Sequence, residues 1–147
     1  MNQLYEWRNI QYQPVKASDL SNFFYFKDMN HSIKSIRPFI GAKNFDESRA
    51  FYSALGFQEV RLGKMSLFKQ ENFGFYLQDY YSKDWVNNSM IFLEVSDTRA
   101  HRETLLGLEL TDQFKKVRIS EIVVNDWGME YFVHDPSGIL LHFGEFN

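Results

Sequence analysis

The sequence contains no cysteine, which excludes disulfide bonds and every catalytic or metal site that depends on a thiolate. No apolar run reaches the roughly 18 residues that a membrane-spanning helix needs. The first residues include Glu6 and Arg8, where a signal peptide has an apolar stretch. We therefore expect no membrane partner and a cytoplasmic location.

The chain also lacks a strong net charge, because 16 Lys and Arg stand against 19 Asp and Glu, for a net charge of −3. Proteins that bind nucleic acid are typically basic, so we expect no nucleic-acid partner. No glycine-rich phosphate loop and no nucleophile motif is present, and we assign no catalytic residue. What the chain has in quantity is aromatic side chains, with 15 Phe, 8 Tyr and 3 Trp among 147 residues.

The chain repeats itself. Residues 65–78 align with residues 129–142 at an offset of 64 (129 − 65), which matches Met65 with Met129, Phe68 with Phe132, Gly74 with Gly138 and Leu77 with Leu141. Residues 37–55 align with residues 90–108 at an offset of 53 (90 − 37), which matches Phe39 with Phe92, Arg49 with Arg102 and Leu55 with Leu108. The second half is longer by 11 residues (64 − 53), which we place in a solvated loop containing Asp112, Gln113, Lys115 and Lys116. The two halves are predicted to be copies of one unit.

Each half is predicted to contain a strand, a helix and three further strands. In the first half the strands are residues 37–42, 58–62, 65–70 and 73–78, and the helix is residues 46–55, capped by Asn44. In the second half the strands are residues 90–95, 119–125, 129–134 and 139–145, and the helix runs from its cap Asp97 to about Leu108. This order predicts an α+β fold of two βαβββ modules, at about residues 36–80 and 89–146, whose curved sheets surround a cleft. Residues 33–147 are then one domain, and residues 1–32 are an N-terminal extension.

A turn with a clear sequence signature lies in the last strand pair. Asp135-Pro136-Ser137-Gly138 separates two apolar runs, so it predicts a hairpin. Its flanks, Trp-Gly-Met-Glu at residues 127–130 and Ile-Leu-Leu-His-Phe-Gly-Glu at residues 139–145, resemble the end of bleomycin resistance proteins in the vicinal oxygen chelate (glyoxalase-like) superfamily. The resemblance covers residues 36–146. It implies tandem βαβββ modules, a homodimer with ligand clefts at the subunit interface, and sequestration of a drug.

Metal-dependent members of that superfamily take their ligands from four positions, one on the first and one on the last strand of each half. The repeat places these positions at Arg37, Gln78, Met90 and His142. A guanidinium cannot ligate a cation, an amide is a weak ligand and a thioether suits Cu(I) rather than Mg, Mn, Zn or Fe(II). We therefore expect no metal and no other cofactor.

Strand alternation indicates what the cleft offers instead of a metal. Rings and polar groups fall on the predicted cleft face, and the ligand-binding set is Arg37, Phe39, Tyr76, Gln78, Met90, Phe92, Glu94, Trp127, Tyr131 and His142. Two alternatives stay open at this point: Arg37 and Glu94 form a structural ion pair, or the rings, Trp127 among them, only fill space.

The sequence thus predicts a metal-free protein that sequesters a small aromatic organic molecule. One alternative is a metal-dependent, glyoxalase-like lyase or isomerase, or a dioxygenase, that uses His142. Another is a structural or regulatory dimer with a filled cleft.

Overall fold

Each half of the described chain begins with a strand and a helix, which are followed by three antiparallel strands in the first half and by four in the second. The structure is a computed structural model that describes residues 33–147, so the extension predicted at residues 1–32 lies outside the described residues. Residues 35–147 form one compact unit. No helix within the described part of the chain is long and apolar enough to cross a membrane.

The first module contains β1 (Phe39–Gly41), α1 (Phe45–Ala54), β2 (Gln58–Arg61), β3 (Met65–Gln70) and β4 (Phe73–Gln78). Its sheet has the order β1-β4-β3-β2, with β1 parallel to β4 and the other pairs antiparallel. Helix α1 begins where predicted, because the Asn44 side chain accepts a hydrogen bond from the Glu47 N–H at 3.1 Å.

The second module follows a short linking helix, α2 (Lys83–Val86). It contains β5 (Met90–Glu94), α3 (Thr98–Leu106), α4 (Leu110–Gln113), β6 (Arg118–Ile119), β7 (Val123–Asn125), β8 (Gly128–His134) and β9 (Leu140–Phe146). Its sheet has the order β5-β9-β8-β6, with β5 parallel to β9, and β7 also pairs with β8. The Asp97 carboxylate caps α3 by accepting from the Ala100 N–H at 2.8 Å. The α+β fold of two βαβββ modules is confirmed.

Two details of the second module differ from the predictions. The strand predicted at residues 119–125 is two short strands, β6 and β7, which both pair with β8. The predicted solvated loop contains the helical turn α4 and three buried apolar side chains: Leu110, Phe114 and Val117. These three side chains pack into the core, so the connection between α3 and β6 is buried on its apolar side and only its polar residues face solvent.

Arg49 and Arg102, which the repeat matches, each connect a helix to its sheet through hydrogen bonds. Arg49 on α1 donates from Nε and Nη2 to the two carboxylate oxygens of Glu59 on β2, at 2.6 and 3.0 Å. Arg102 on α3 donates to the Ser120 carbonyl and the Glu121 carboxylate, both at 2.8 Å. The bidentate pair holds the pKa of Glu59 below its ordinary value of 4.5, since Arg49 stabilises the ionised carboxylate.

The internal repeat keeps the predicted offset through the helices but not through the hairpins. Phe39 lies opposite Tyr76, and Phe92 lies opposite His142, so His142 corresponds to Tyr76 rather than to Gln78. The match of Phe68 with Phe132 is therefore wrong. Phe68 is fully buried in the core, whereas Phe132 lies beside the His142 ring on the other face of its sheet.

The two modules are joined by a buried hydrogen bond. The Tyr52 hydroxyl, on α1, donates to Oδ2 of Asp135 at 2.9 Å, and both residues are at most 1% exposed. The other carboxylate oxygen, Oδ1, accepts from the N–H groups of Ser137, Gly138 and Ile139 at 2.7 to 2.8 Å. The Asp-Pro-Ser-Gly turn is thus organised around one carboxylate, and helix α1 of the first module supplies its last donor.

A second set of hydrogen bonds lies beside this one. The Ser137 hydroxyl contacts the Ser48 hydroxyl at 2.9 Å and accepts from the Lys43 N–H at 2.9 Å. Phe51 and Phe114 add an edge-to-face ring contact across the same boundary, with centroids 5.6 Å apart. The turn of the second module is therefore part of the packing of the first.

Burial raises the pKa of the Asp135 carboxyl above its ordinary value of 3.8, against the hydrogen bonds, which lower it. The folded state therefore binds a proton at Asp135 more readily than the unfolded state does. The contribution of this group to stability is fully present below pH 3.8 and declines as pH rises through the folded pKa.

The variant Tyr52→Phe tests this arrangement. Removing the hydroxyl leaves an ionised carboxylate one donor short, so we expect a loss of about 1.5–3 kcal/mol in the free energy of unfolding at pH 7. At pH 3, where the carboxyl is protonated, the loss should be smaller. Urea unfolding of parent and variant at both pH values measures this, and an equal loss at the two pH values would contradict the role of the ionised carboxylate.

Candidate ligand-binding site

One face of each sheet packs on the helices and the core, and the other face is open. We call the side of the first sheet that carries Phe39, Leu67, Tyr76 and Gln78 the first open face. We call the side of the second sheet that carries Met90, Phe92, Glu130, Phe132, His142 and Phe146 the second open face. Residues between them in sequence, such as Ile40, Leu77, Leu141 and Phe143, are buried on the opposite sides.

Three partly exposed rings form a cluster on the second open face. Phe92 on β5, Phe146 at the end of β9 and Trp127 in the turn before β8 have ring centroids 5.3 to 6.1 Å apart. They are 42%, 59% and 38% exposed, respectively. Water-facing rings in mutual contact provide a ready surface for a planar apolar group.

A polar pair lies beside this cluster. His142 Nδ1 is 2.9 Å from Oε2 of Glu130, and the other Glu130 oxygen accepts from the Asn125 amide at 3.2 Å. The carboxylate fixes the orientation of the imidazole. His142 Nε2 is buried and has no hydrogen-bond partner among residues 33–147. This nitrogen and Nε of Arg37 are the buried side-chain polar atoms without a partner in the described part of the chain, so the hydrogen-bonding capacity of Nε2 is unused in this structure.

The first open face is smaller and carries one ring pair. Phe39 stacks on Tyr76 with centroids 4.7 Å apart and an interplanar angle of 23°. Gln78 follows two residues along β4, in register with Gly41. The faces predicted for Phe39, Tyr76 and Gln78 agree with this register.

Tyr131 is a wrong prediction. Its side chain is fully buried, its hydroxyl oxygen is 2.8 Å from Nδ1 of His101, and its ring stacks on Phe143. It therefore faces α3, and its neighbour Glu130 faces the open side. Burial raises the pKa of the Tyr131 hydroxyl and lowers the pKa of His101, so both groups are neutral in the core at pH 7.

Arg37 and Glu94 form no ion pair within the described residues. Arg37 is half-buried just before β1, and its Nε has no partner in the described part of the chain. Glu94 is exposed at the end of β5. It lines a cavity of about 450 Å³ with Phe92, Pro38, Phe75 and Ile91, between β5, β4 and the segment that precedes β1. This size is within the range of small-molecule pockets.

Known structures superpose on this fold. A bleomycin-binding protein from Streptomyces verticillus complexed with copper(II)-bleomycin superposes with a TM-score of 0.65 at 18% identity, over 77% of this chain and 96% of that one. An antibiotic-binding protein from a Streptomyces species gives a TM-score of 0.62 at 14% identity, over 79% and 98%. Lactoylglutathione lyase from Agrobacterium tumefaciens gives 0.59 at 17% identity, over 76% and 92%.

This is the vicinal oxygen chelate fold. No protein-family model matches the sequence, and no curated protein matches it significantly. The resemblance seen in residues 36–146 is confirmed at the level of the fold, and bleomycin-binding proteins are among the nearest structures.

The side chains do not fit the metal site that the vicinal oxygen chelate fold can carry. Arg37 precedes the β1 residue paired with Tyr76 by two positions, so it is level with Gly74, roughly 13 Å along the strand from Gln78. Met90 is paired with Leu140, which is two residues along β9 from His142. Within residues 33–147, no three His, Asp or Glu side chains are close enough to hold one metal ion.

The sequence reasoning missed three residues of the second open face: Glu130, Phe132 and Phe146. It also missed the reason for Gly144, which lies between His142 and Phe146 on the same face. A Cβ at residue 144 would lie 2.8 Å from Cζ of Phe92 and 3.2 Å from Cβ of Glu130. The absence of a side chain there allows the Phe92 ring to lie flat across β9.

We expect Gly144→Ala to displace the Phe92 ring while the fold is retained, because the added methyl group meets the ring before it meets backbone. Aromatic NMR signals of Phe92 and its neighbour Trp127 should shift, with far-UV circular dichroism unchanged. Unchanged Phe92 signals would show that Gly144 does not set the shape of this face.

Proposed function

We propose that this protein binds and sequesters a small aromatic organic molecule, without a metal, on its open faces. The observation that carries the proposal is the exposed cluster of Phe92, Trp127 and Phe146 beside the His142–Glu130 pair. Stacking area next to one oriented polar group is the composition typical of a site for a flat, partly polar ligand.

The ligand contacts that we propose come from both open faces. The rings of Phe39, Tyr76, Phe92 and Trp127 supply stacking area, and the His142 imidazole, whose side chain is 20% exposed, supplies a polar anchor. Arg37, Gln78, Met90 and Glu94 complete the set. Tyr131 is left out because it is buried against α3.

A homodimer is part of the proposal. Met90, Phe146 and Val123 are apolar residues of the second open face, and they are 42 to 64% exposed. Such a group of exposed apolar side chains is typical of an interaction surface. A second copy that covers these faces would enclose the ligand between subunits, in agreement with the arrangement that the family resemblance implies. The cytoplasmic location stays a prediction.

Sequestration is favoured over catalysis by the groups on these faces. The alternative is a metal-dependent lyase, isomerase or dioxygenase, which needs several converging ligands, and His142 is already paired with Glu130. A purely structural dimer is the other alternative, and it is distinguished by the absence of any ligand that raises the melting temperature. A binding protein needs affinity and shape alone, and similar structures include proteins that bind bleomycin and other antibiotics.

The metal-free proposal predicts far less than one transition metal per chain after gentle purification, because the donor set is incomplete. Elemental analysis by mass spectrometry measures this. Stoichiometric Zn, Ni, Mn or Fe in the parent protein that disappears in His142→Ala would favour the enzyme instead.

Sedimentation at micromolar concentration should give twice the chain mass of 17.5 kDa, since the exposed apolar faces are stabilised by mutual burial. A double charge on the second open face, Met90→Asp with Phe146→Asp, should shift the protein towards monomer. The matched control Leu106→Asp with Leu108→Asp adds the same two charges at exposed apolar residues outside the open faces and should leave the mass unchanged. A parent protein that sediments as a monomer removes the interfacial site.

Trp127→Ala should weaken binding of an aromatic ligand by about 1 to 3 kcal/mol, roughly 5- to 150-fold in Kd, because one large ring is lost from the contact. Bleomycin is the first ligand to test, followed by a thermal-shift screen of planar charged compounds. Calorimetric titration of a ligand found in this way compares the parent with Trp127→Ala. The control Leu106→Ala removes an exposed apolar side chain of α3, outside the open faces. Equal affinity of Trp127→Ala and the parent would exclude Trp127 from the site.

A further inference from the structure

A second pocket lies at the Asp-Pro-Ser-Gly turn and takes no part in the function proposed above. It has a volume of about 390 Å³ and is lined by the turn, Tyr81 and four basic side chains: Lys43, Lys116, Arg118 and His134. Lys43 belongs to the first module, whereas the other three belong to β6, β8 and the segment before β6. The pocket therefore lies across the boundary between the modules.

The charge of this pocket differs from that of the whole chain. The chain carries a net charge of −3, yet Lys43, Lys116 and Arg118 bring three permanent positive charges to one cavity. Asp135 is the one carboxylate among the described residues that line it, and it is 1% exposed. Its two oxygens are already occupied by Tyr52 and by three backbone N–H groups. The Asp135 carboxylate is thus satisfied inside the protein, whereas Lys43, Lys116 and Arg118 line the cavity.

Two of the basic groups are held in position by their own chain. Nη1 of Arg118 donates to the carbonyls of Lys115 and Val117, both at 3.1 Å, which leaves the rest of the guanidinium for another acceptor. The backbone N–H of Lys43 is bonded to the Ser137 hydroxyl at 2.9 Å, and its Nζ lies 5.6 Å from the centre of the Tyr81 ring. A cation held in this way loses less freedom when an anion binds.

We propose that this pocket binds the phosphoryl group of a small molecule. A phosphoryl group carries up to two negative charges and three acceptor oxygens. As a ligand for one guanidinium and two ammonium groups it is therefore a better match than a carboxylate, which carries one charge and two oxygens. Tyr81 is 38% exposed and offers a ring face at the rim of the pocket for a planar group attached to the phosphate. Because Lys43 and Lys116 come from different modules, a bound phosphoryl group ties the two modules together.

The test uses calorimetric titration and thermal unfolding of the full chain, in a phosphate-free buffer of low ionic strength. The probes are inorganic phosphate, adenosine 5′-phosphate and adenosine. The variant Lys43→Gln with Lys116→Gln removes two charges from the pocket. The matched control Lys64→Gln with Arg99→Gln removes two exposed charges elsewhere and changes the net charge equally.

The expected result is that a phosphate-bearing probe binds the parent and raises its melting temperature, whereas adenosine does neither. The pocket variant should bind at least about tenfold more weakly, the control should bind as the parent does, and added salt should weaken binding. Stronger binding of adenosine 5′-phosphate than of phosphate identifies a phosphomonoester as the ligand, and equal binding identifies free phosphate.

Three results would overturn the proposal: no binding of either phosphate probe at about 10 mM, equal weakening in the pocket variant and its control, or equal binding of adenosine and adenosine 5′-phosphate. NMR signals of His134 and Tyr81 in the parent provide a readout that needs no variant. They should shift with adenosine 5′-phosphate, and unchanged signals on saturation would place the phosphate elsewhere.

Discussion

The hydrogen bond from Tyr52 to Asp135 is the contact on which the relation between the two modules depends. Each module alone has a sheet with one helix across it, which is a thin structure with little core. The buried carboxylate organises the turn between β8 and β9, and the phenol joins that turn to α1. This bond lies at the centre of the boundary, and with the contacts of Ser137 with Ser48 and of Phe114 with Phe51 it sets the position of β8 and β9 relative to the first module.

Most of the fold could be predicted from the sequence, since the signals are local. Asn44 and Asp97 begin helices because their side chains accept from the N–H three residues on, and this pattern is visible in the sequence. The segment from Leu110 to Val117 could not be interpreted in this way. Leu110, Phe114 and Val117 have the i, i+4 and i+7 spacing of one helix face, but no side chain caps this short helix, and their burial depends on distant partners such as Phe51.

The site was harder to predict because strand register decides which side chains face outwards. A strand alternates with a period of two residues, so an error of one residue exchanges the two faces. The alignment of the hairpins by identical residues introduced such an error, since the turn at Asp135 is longer than the turn at Glu71 and Asn72. His142 lies on the predicted face because its alignment error was two residues, from Gln78 to Tyr76, and an even error preserves the face. Along β8 the error was one residue, so Tyr131 and Glu130 changed places.

The contact between Tyr52 and Asp135 also makes the two repeated modules non-equivalent. At the repeat offset that holds for the helices, the counterpart of Tyr52 is Leu105, and the short turn at Glu71 and Asn72 carries no aspartate that is buried as Asp135 is. A chain built from two first modules would lack the buried acceptor, and a chain built from two second modules would lack the phenol. The halves have the same architecture but are no longer interchangeable, because each has kept one side of a bond that the other cannot make.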